Sequence, residues 1–212
     1  MALTDRGVQI PLSVWHNDGV SDNRPPRNPS SRSSAAAPRE RRVVPPLDAA
    51  ALDRLALRYV ERFATSRGKL TEYLTRKIRE RGWEGEPADP AALAERMAGL
   101  GYVDDRVFAE AKAAAMQRRG LGGRRVAGAL REARIDEVDT DAVAPAIADR
   151  AVTAALAFAR RKRIGPYALD EADKVQREKQ IGAMIRAGHG FALARRIVSS
   201  PPMEEVDEKE FE

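Results

Sequence analysis

The chain contains no cysteine, only two histidines and an aromatic fraction of 5%. Without cysteine there is no disulfide, thiolate zinc site, iron–sulfur cluster or cysteine nucleophile. His16 sits in a Ser/Pro-rich stretch and His189 between two glycines, so no histidine pair has metal-ligand spacing. No apolar run approaches the roughly 18 residues of a membrane-spanning helix, and the N-terminal stretch lacks the apolar core of an export signal. A cytoplasmic protein with no membrane contact is expected. With aromatic and β-branched residues sparse, a core must be built mainly from Ala and Leu with some Val and Ile, which suits helices better than sheets.

What is present is charge and small apolar residues. Of 212 residues, 43% are apolar and 33% charged, with a net charge of +5. Residues 1–46 carry seven basic and four acidic side chains and residues 203–212 one Lys against six acids, which leaves +7 on the stretch between them. A basic body suits a polyanion such as nucleic acid, or an acidic protein face. The alternative for any single Arg is plain solvation of a helix surface.

Residues 1–46 are rich in Ser, Pro and Arg and are expected to be a disordered basic tail, with Trp15 and His16 in a small apolar island. From Leu47 the pattern becomes helical. Leu52, Leu55, Ala56, Tyr59 and Phe63 form one stripe, closed by Gly68; Leu70, Tyr73, Leu74 and Ile78 form a second, ending at Gly82. A third runs through Leu93, Met97 and Leu100, with Asp89 as cap and Pro90 at the first helical position. The most informative stretch follows, from Gly101 to Ile135. Gly101 stops a helix, and Asp104 and Asp105 are read as capping the next one. Val107, Ala111 and Ala115, with Phe108 beside them, mark its apolar face, and Tyr102 and Phe108 are expected in the core. Gly120, Gly122 and Gly123 break the helix, and Val126, Leu130 and Ala133 face inward on the one after it.

The pattern recurs. SRGKLTEYLTRKIRERGW, from Ser66, overlays RRGLGGRRVAGALREARI, from Arg118, with Leu74 on Val126, Ile78 on Leu130 and Trp83 on Ile135; VQREKQIGAMIRAGHG then places Met184 on Leu130 and Gly188 on Arg134. An all-α chain of three tandem three-helix repeats is expected, forming an elongated, curved body: 47–101, 102–149 and 150–200, with a disordered acidic tail at 201–212. A helix over about 139–149 completes the second repeat; if Asp141 caps it, Pro145 falls in its tolerant first turn.

Chemistry-bearing constellations are few. Asp104 and Asp105 are adjacent, but no further acids join them at ligand spacing. RRGLGGRR lacks the Lys-Ser/Thr pair of a phosphate loop and any preceding strand. His189 is read as a capping or solvent-facing residue. No catalytic residue, metal or cofactor is expected.

GYVDDRVFAEAKAAAMQRRGLGGRRVAGAL resembles the core signature of the RecX family of recombination regulators, and ALAFARRKRIG with REKQIGAMIRAGHGFALARRIV resembles that family's C-terminal segment. The likeness spans about residues 50–200, and its motif residues are Gly101, Tyr102, Asp104, Asp105 and Phe108. Two departures are Gly123, where the family often has proline, and the long N-terminal tail. The resemblance implies a monomeric, non-enzymatic regulator, mainly an inhibitor, of the RecA recombinase. Such proteins lodge in the groove of the RecA filament on single-stranded DNA and restrain ATP hydrolysis, filament growth and strand exchange; weak direct DNA binding by this chain is expected beside that. The contacts expected here are Arg118, Arg119, Arg124, Arg125 and Arg131 in the second repeat, and Arg160, Arg161, Lys162, Arg163, Arg186, Arg195 and Arg196 in the third.

Two other classes compete. A short helix, a glycine turn and a basic helix also describe a helix-turn-helix DNA-binding protein, although Arg and Ala exteriors suit phosphates better than base edges. A helical scaffold without nucleic-acid contact has to explain the +7 body. The inward face of the basic helix can be checked directly: Leu130→Ala should cost on the order of 2 to 4 kcal/mol in a denaturant melt, and an unchanged melt would mean the wrong face is buried.

Overall fold

A computed structural model describes residues 45–203, Asp207 and Phe211; the expected N-terminal tail, with Trp15 and His16, lies outside the described residues. Among these residues the fold is all helical, with no strand beyond an isolated bridge between Leu47 and Trp83. The helices are α1 (Ala49–Arg62), α2 (Arg67–Arg81), α3 (Pro90–Gly99), α4 (Asp105–Arg118), α5 (Gly123–Glu132), α6 (Glu137–Asp149), α7 (Ala151–Lys162), α8 (Lys174–Arg186) and α9 (Phe191–Ser199), with a short 3-10 turn at Gly165–Tyr167. Six of them start on a side chain that accepts an N–H three residues on: Asp48, Ser66, Asp89, Asp104, Asp136 and Asp173. Each such cap satisfies one of the free N–H groups of a first turn and contributes about 1 kcal/mol.

The buried side chains fall into three groups, drawn from α1–α3, α4–α6 and α7–α9. Leu52, Leu70, Leu74, Leu93 and Met97 belong to the first; Ala109, Ala113, Val126, Leu130 and Val143 to the second; Leu156, Phe158, Met184, Ala194 and Ile197 to the third. Val126, Leu130 and Ala133 face inward as the periodicity requires. Phe211, inside the stretch expected to be disordered, is nonetheless buried against the third group.

Several sequence expectations are corrected. On α4 the buried face is Asp105, Ala109, Ala113 and Gln117, opposite the expected stripe; Val107 and Ala111 are exposed. The cause is Asp105, which leaves the cap to Asp104 and turns inward to bond Arg67, carrying residues four, eight and twelve positions on to the same side. Tyr102 is 50% exposed and Leu100 lies outside at the end of α3, while Phe108 packs half-buried against the second group. Gly68 does not close α1, which ends at Arg62; it lies in the first turn of α2. α6 starts at Asp136, so Pro145 lies inside the helix and not in its first turn.

Two junctions tie the groups together, and both set the start of one middle helix against the end of the next. At the first, Ser66 Oγ accepts the Lys69 N–H at 3.1 Å and donates to the Ala133 carbonyl beyond α5. A Cβ on Gly68 would stand 2.2 Å from Cβ of Arg134, so the chains touch there. At the second, α5 has no side-chain cap; the Gly122 N–H donates to Ala187 O at 2.9 Å and the Arg124 N–H to Gly188 O at 3.2 Å. The carbonyls just beyond the end of α8 thus satisfy N–H groups that open α5.

An ionic hub supports the first junction. The Arg67 backbone N–H and Nε both donate to Asp105, at 2.8 and 3.2 Å, and the guanidinium also reaches Glu95 at 3.3 Å, Asp136 at 2.8 Å and Asp139 at 3.5 Å. The Asp105 side chain is only 3% exposed. Burial acts against the Arg67 charge, but the bonds to Asp105 and Glu95 outweigh it and hold its pKa above the ordinary range.

A paired glycine experiment tests the second junction. A Cβ on Gly122 would fall 2.4 Å from the Gly188 carbonyl, whereas one on Gly128, inside α5, meets nothing within 4 Å. Gly122→Ala should destabilise by more than about 1 kcal/mol, and Gly128→Ala should stabilise by about 0.5–1 kcal/mol. Melts that rank the two the other way would remove the junction from the account.

Candidate functional site

The second junction is also where basic side chains converge. α4 ends in Arg118 and Arg119, Gly120 turns the chain, and Arg124 and Arg125 follow at the start of α5. The end of α8 closes on this turn, bringing Arg186 with it, and α7 approaches from the other side. The Arg161 guanidinium donates to the Arg119 carbonyl and lies 5.6 Å from the Phe158 ring centroid. Arg118, Arg119, Arg124, Arg125, Arg161 and Arg186 are all exposed, and none has an acidic partner among the described residues. The contrast with α2 is direct: there Lys69 pairs with Glu72, and Arg76 and Lys77 share Glu80. Unneutralised guanidinium groups on a surface attract phosphates and carboxylates and offer paired donors to either.

The remaining expected contacts are dispersed. Arg131 sits in the last turn of α5, about 10 Å along the axis from Arg124. Arg160 lies 5.1 Å from the Tyr167 ring centroid, and Arg196 lies 5.4 Å from that of Phe211. Lys162 ends α7 and Arg163 follows it, both exposed, and Arg195 is exposed on α9. Of the motif residues, Gly101 has the left-handed φ of 78° that ends α3, Asp104 caps α4, Asp105 joins the ionic hub, Phe108 packs inward and Tyr102 faces solvent.

His189 was missed by sequence reasoning. It is neither a cap nor in solvent: it is 2% exposed, its Nε2 donates to the Gly120 carbonyl at 3.1 Å, and its ring meets Phe158 edge-on with centroids 5.6 Å apart. Burial pulls its pKa below 6.5, and the Gly120 bond opposes that only in part. Its partner is 69 residues away, so no local signal could have shown it. The Ser66 bond to Ala133 had one readable sign, a Ser at the start of a helical period. Among the described residues no group of three or more His, Asp or Glu is placed to hold a metal ion, and no single helix is long and apolar enough to cross a membrane. Asp105, Asp136 and Asp139 come together, but around a guanidinium.

These features describe an all-helical protein whose distinctive site is a cationic surface at a helix junction. No family model matches the chain. It is 28% identical over 186 residues to the regulatory protein RecX of Myxococcus xanthus (strain DK1622), covering 82% of this chain and 96% of that protein. It is also 28% identical over 144 residues to the regulatory protein RecX of Agrobacterium fabrum (strain C58), covering 66% of this chain and 77% of that one. These relatives support assignment of the chain to the RecX family.

The buried histidine gives the junction a pH signature. With its folded pKa lowered, His189 refuses a proton that the unfolded chain accepts, so stability contributed by the neutral ring is lost as pH falls below 6.5. Melting temperature should drop between about pH 7.5 and about pH 5.5, and His189→Gln, which keeps an N–H donor for Gly120, should drop less. Equal slopes for the two proteins would show that His189 protonates freely in the fold.

Proposed function

We propose that this protein is a non-enzymatic regulator of the RecA recombinase, acting mainly as an inhibitor. In this reading it binds as a monomer in the groove of the RecA filament on single-stranded DNA and restrains ATP hydrolysis, filament growth and strand exchange. It would do so in the cytoplasm, during DNA repair and recombination and the SOS response. Three tandem three-helix units, with boundaries near residues 101 and 149, would meet the filament in series.

One observation carries the proposal: the unneutralised cations gathered at the α4–α5 turn, where Arg118, Arg119, Arg124, Arg125, Arg161 and Arg186 come from four helices and their ends. The two relatives named as regulatory proteins point the same way. Polyanionic DNA and acidic protein faces are the partners such a surface attracts. Against a helix-turn-helix reading, the first turn of α5 is closed by the carbonyls of Ala187 and Gly188, and the start of a recognition helix is the part that must reach base edges.

The test is the single-stranded-DNA-dependent ATPase of the cognate RecA, titrated with this protein well below one per protomer. Strong inhibition is expected, and Arg124→Glu combined with Arg125→Glu should raise the half-inhibiting amount about tenfold, with unchanged circular dichroism. Full inhibition by that variant would remove the two arginines from the contact. No inhibition by the unaltered protein, with salt-resistant binding to one duplex sequence, would overturn the RecA reading in favour of site-specific DNA binding.

A further inference from the structure

The sequence has two Trp, four Tyr and five Phe, and three of these rings meet along one edge of α1 and α2. Tyr59 and Tyr73 stack with centroids 4.1 Å apart, and Phe63 continues the row with its centroid 5.2 Å from that of Tyr59. Tyr59 and Tyr73 are braced by the first buried group, whereas Phe63 lies outside it and is 43% exposed. Cations line the row: Arg62 lies 5.4 Å from the Phe63 centroid, and Arg76 and Lys77 lie 5.7 and 5.9 Å from that of Tyr73. Beside the rings, Arg54, Arg58 and Arg62 follow one another at steps of four on one face of α1, about 6 Å apart along the axis. All three are exposed and without an acidic partner among the described residues. The acids on these faces are Glu61 and Glu80, and Glu80 is taken up by Arg76 and Lys77.

We infer that this face binds single-stranded nucleic acid, with an unstacked base on the Phe63 ring and the phosphates along Arg54, Arg58 and Arg62. The Arg58 Nε donates to the Arg54 carbonyl at 3.3 Å, which holds that side chain along the helix without neutralising it. An exposed ring beside a regular line of guanidinium groups without acidic partners is the combination by which a single strand is held without sequence preference. A duplex satisfies only half of it, since its base faces are already stacked. An acidic peptide would pair with the arginines but has no flat π-face for Phe63. An apolar partner would strip water from three unpaired charges, which is costly. The site is separate from the cations at the α4–α5 turn, and its test contains no RecA, so it stands or falls independently of the regulatory reading.

The experiment is fluorescence anisotropy of the full chain with a labelled oligothymidylate, beside an abasic strand of equal length. Phe63→Leu keeps the apolar bulk and removes the π-face; it should weaken oligothymidylate binding about tenfold, leave the dependence on salt unchanged and leave the abasic strand unaffected. Arg58→Gln with Arg62→Gln should lower the slope of log affinity against log salt by about 1.4. Thermal melts of each variant confirm folding, and Phe63→Trp should bind at least as tightly as the unaltered chain. Phe63→Leu binding like the unaltered chain, or losing both strands equally, overturns the stacking site. Absence of binding to the oligothymidylate, or its displacement by polyglutamate more readily than by the abasic strand, overturns it as well.

Discussion

The fold depends on helix ends meeting helix ends. At Ser66 the start of α2 receives a carbonyl from beyond α5, and at Gly122 the start of α5 receives two carbonyls from beyond α8. Each contact answers two needs at once, because a first turn has free N–H groups and a last turn has free carbonyls: at Gly122 they meet directly, and at Ser66 the hydroxyl stands between them, accepting the Lys69 N–H and donating to the Ala133 carbonyl. The partial positive charge of one terminus also faces the partial negative charge of the other. Neither junction relies on a large apolar surface, which suits a chain with few aromatic side chains. The cost is steric: the backbones approach so closely that a Cβ on Gly68 or Gly122 would overlap the neighbouring segment.

Charge is divided between holding the protein together and facing outward. Arg67 gathers carboxylates from α3, α4 and α6, and one of them, Asp105, is almost wholly buried. A buried carboxylate is tolerable there because it lies at the starts of both α2 and α4 and accepts from a guanidinium as well as a backbone N–H. Asp139 at the rim carries the cost, its pKa raised by burial and by the neighbouring Asp136 despite Arg67. Around the second junction the arginines have no acidic partner among the described residues. His189 takes the place of an ionic hub with a neutral ring, which leaves the surrounding arginines unneutralised at the surface.

Much of the helical order was legible in the sequence, because it is written in local signals. Asp89–Pro90, Gly101 and Asp104 mark ends where expected, and Val126 and Leu130 lie on the buried face of α5. Local periodicity failed where a distant residue decided the rotation. In α4 alanines lie on every side, so both candidate stripes look apolar; Asp105 and its partner 38 residues earlier choose between them. The cap of α6 was misplaced for a similar reason: Asp136, Asp139 and Asp141 all resemble caps, and only Asp136 accepts from its own helix. The basic residues were legible as a set, but not which of them would assemble, since that follows from contacts such as Arg161 with Arg119 across 42 residues.

Stiffness at the junctions bears on how such a surface could work. An exposed Arg gains little from any one partner, of the order of 1 kcal/mol or less, so affinity for a long partner has to come from several contacts made together. Contacts add in this way when engaging one raises the effective concentration of the next, and that requires their spacing to be kept. The hydrogen bonds of Gly122 and Arg124 to Ala187 and Gly188 keep it between α5 and α8, and the Ser66 and Arg67 contacts keep it between α2, α4 and α5. Loosening a junction would therefore weaken binding to a polymer while leaving every arginine in place. On a short ligand, which engages one patch at a time, the same change would have little effect. The helix-end contacts are thus as much a part of the cationic surface as the guanidinium groups they space.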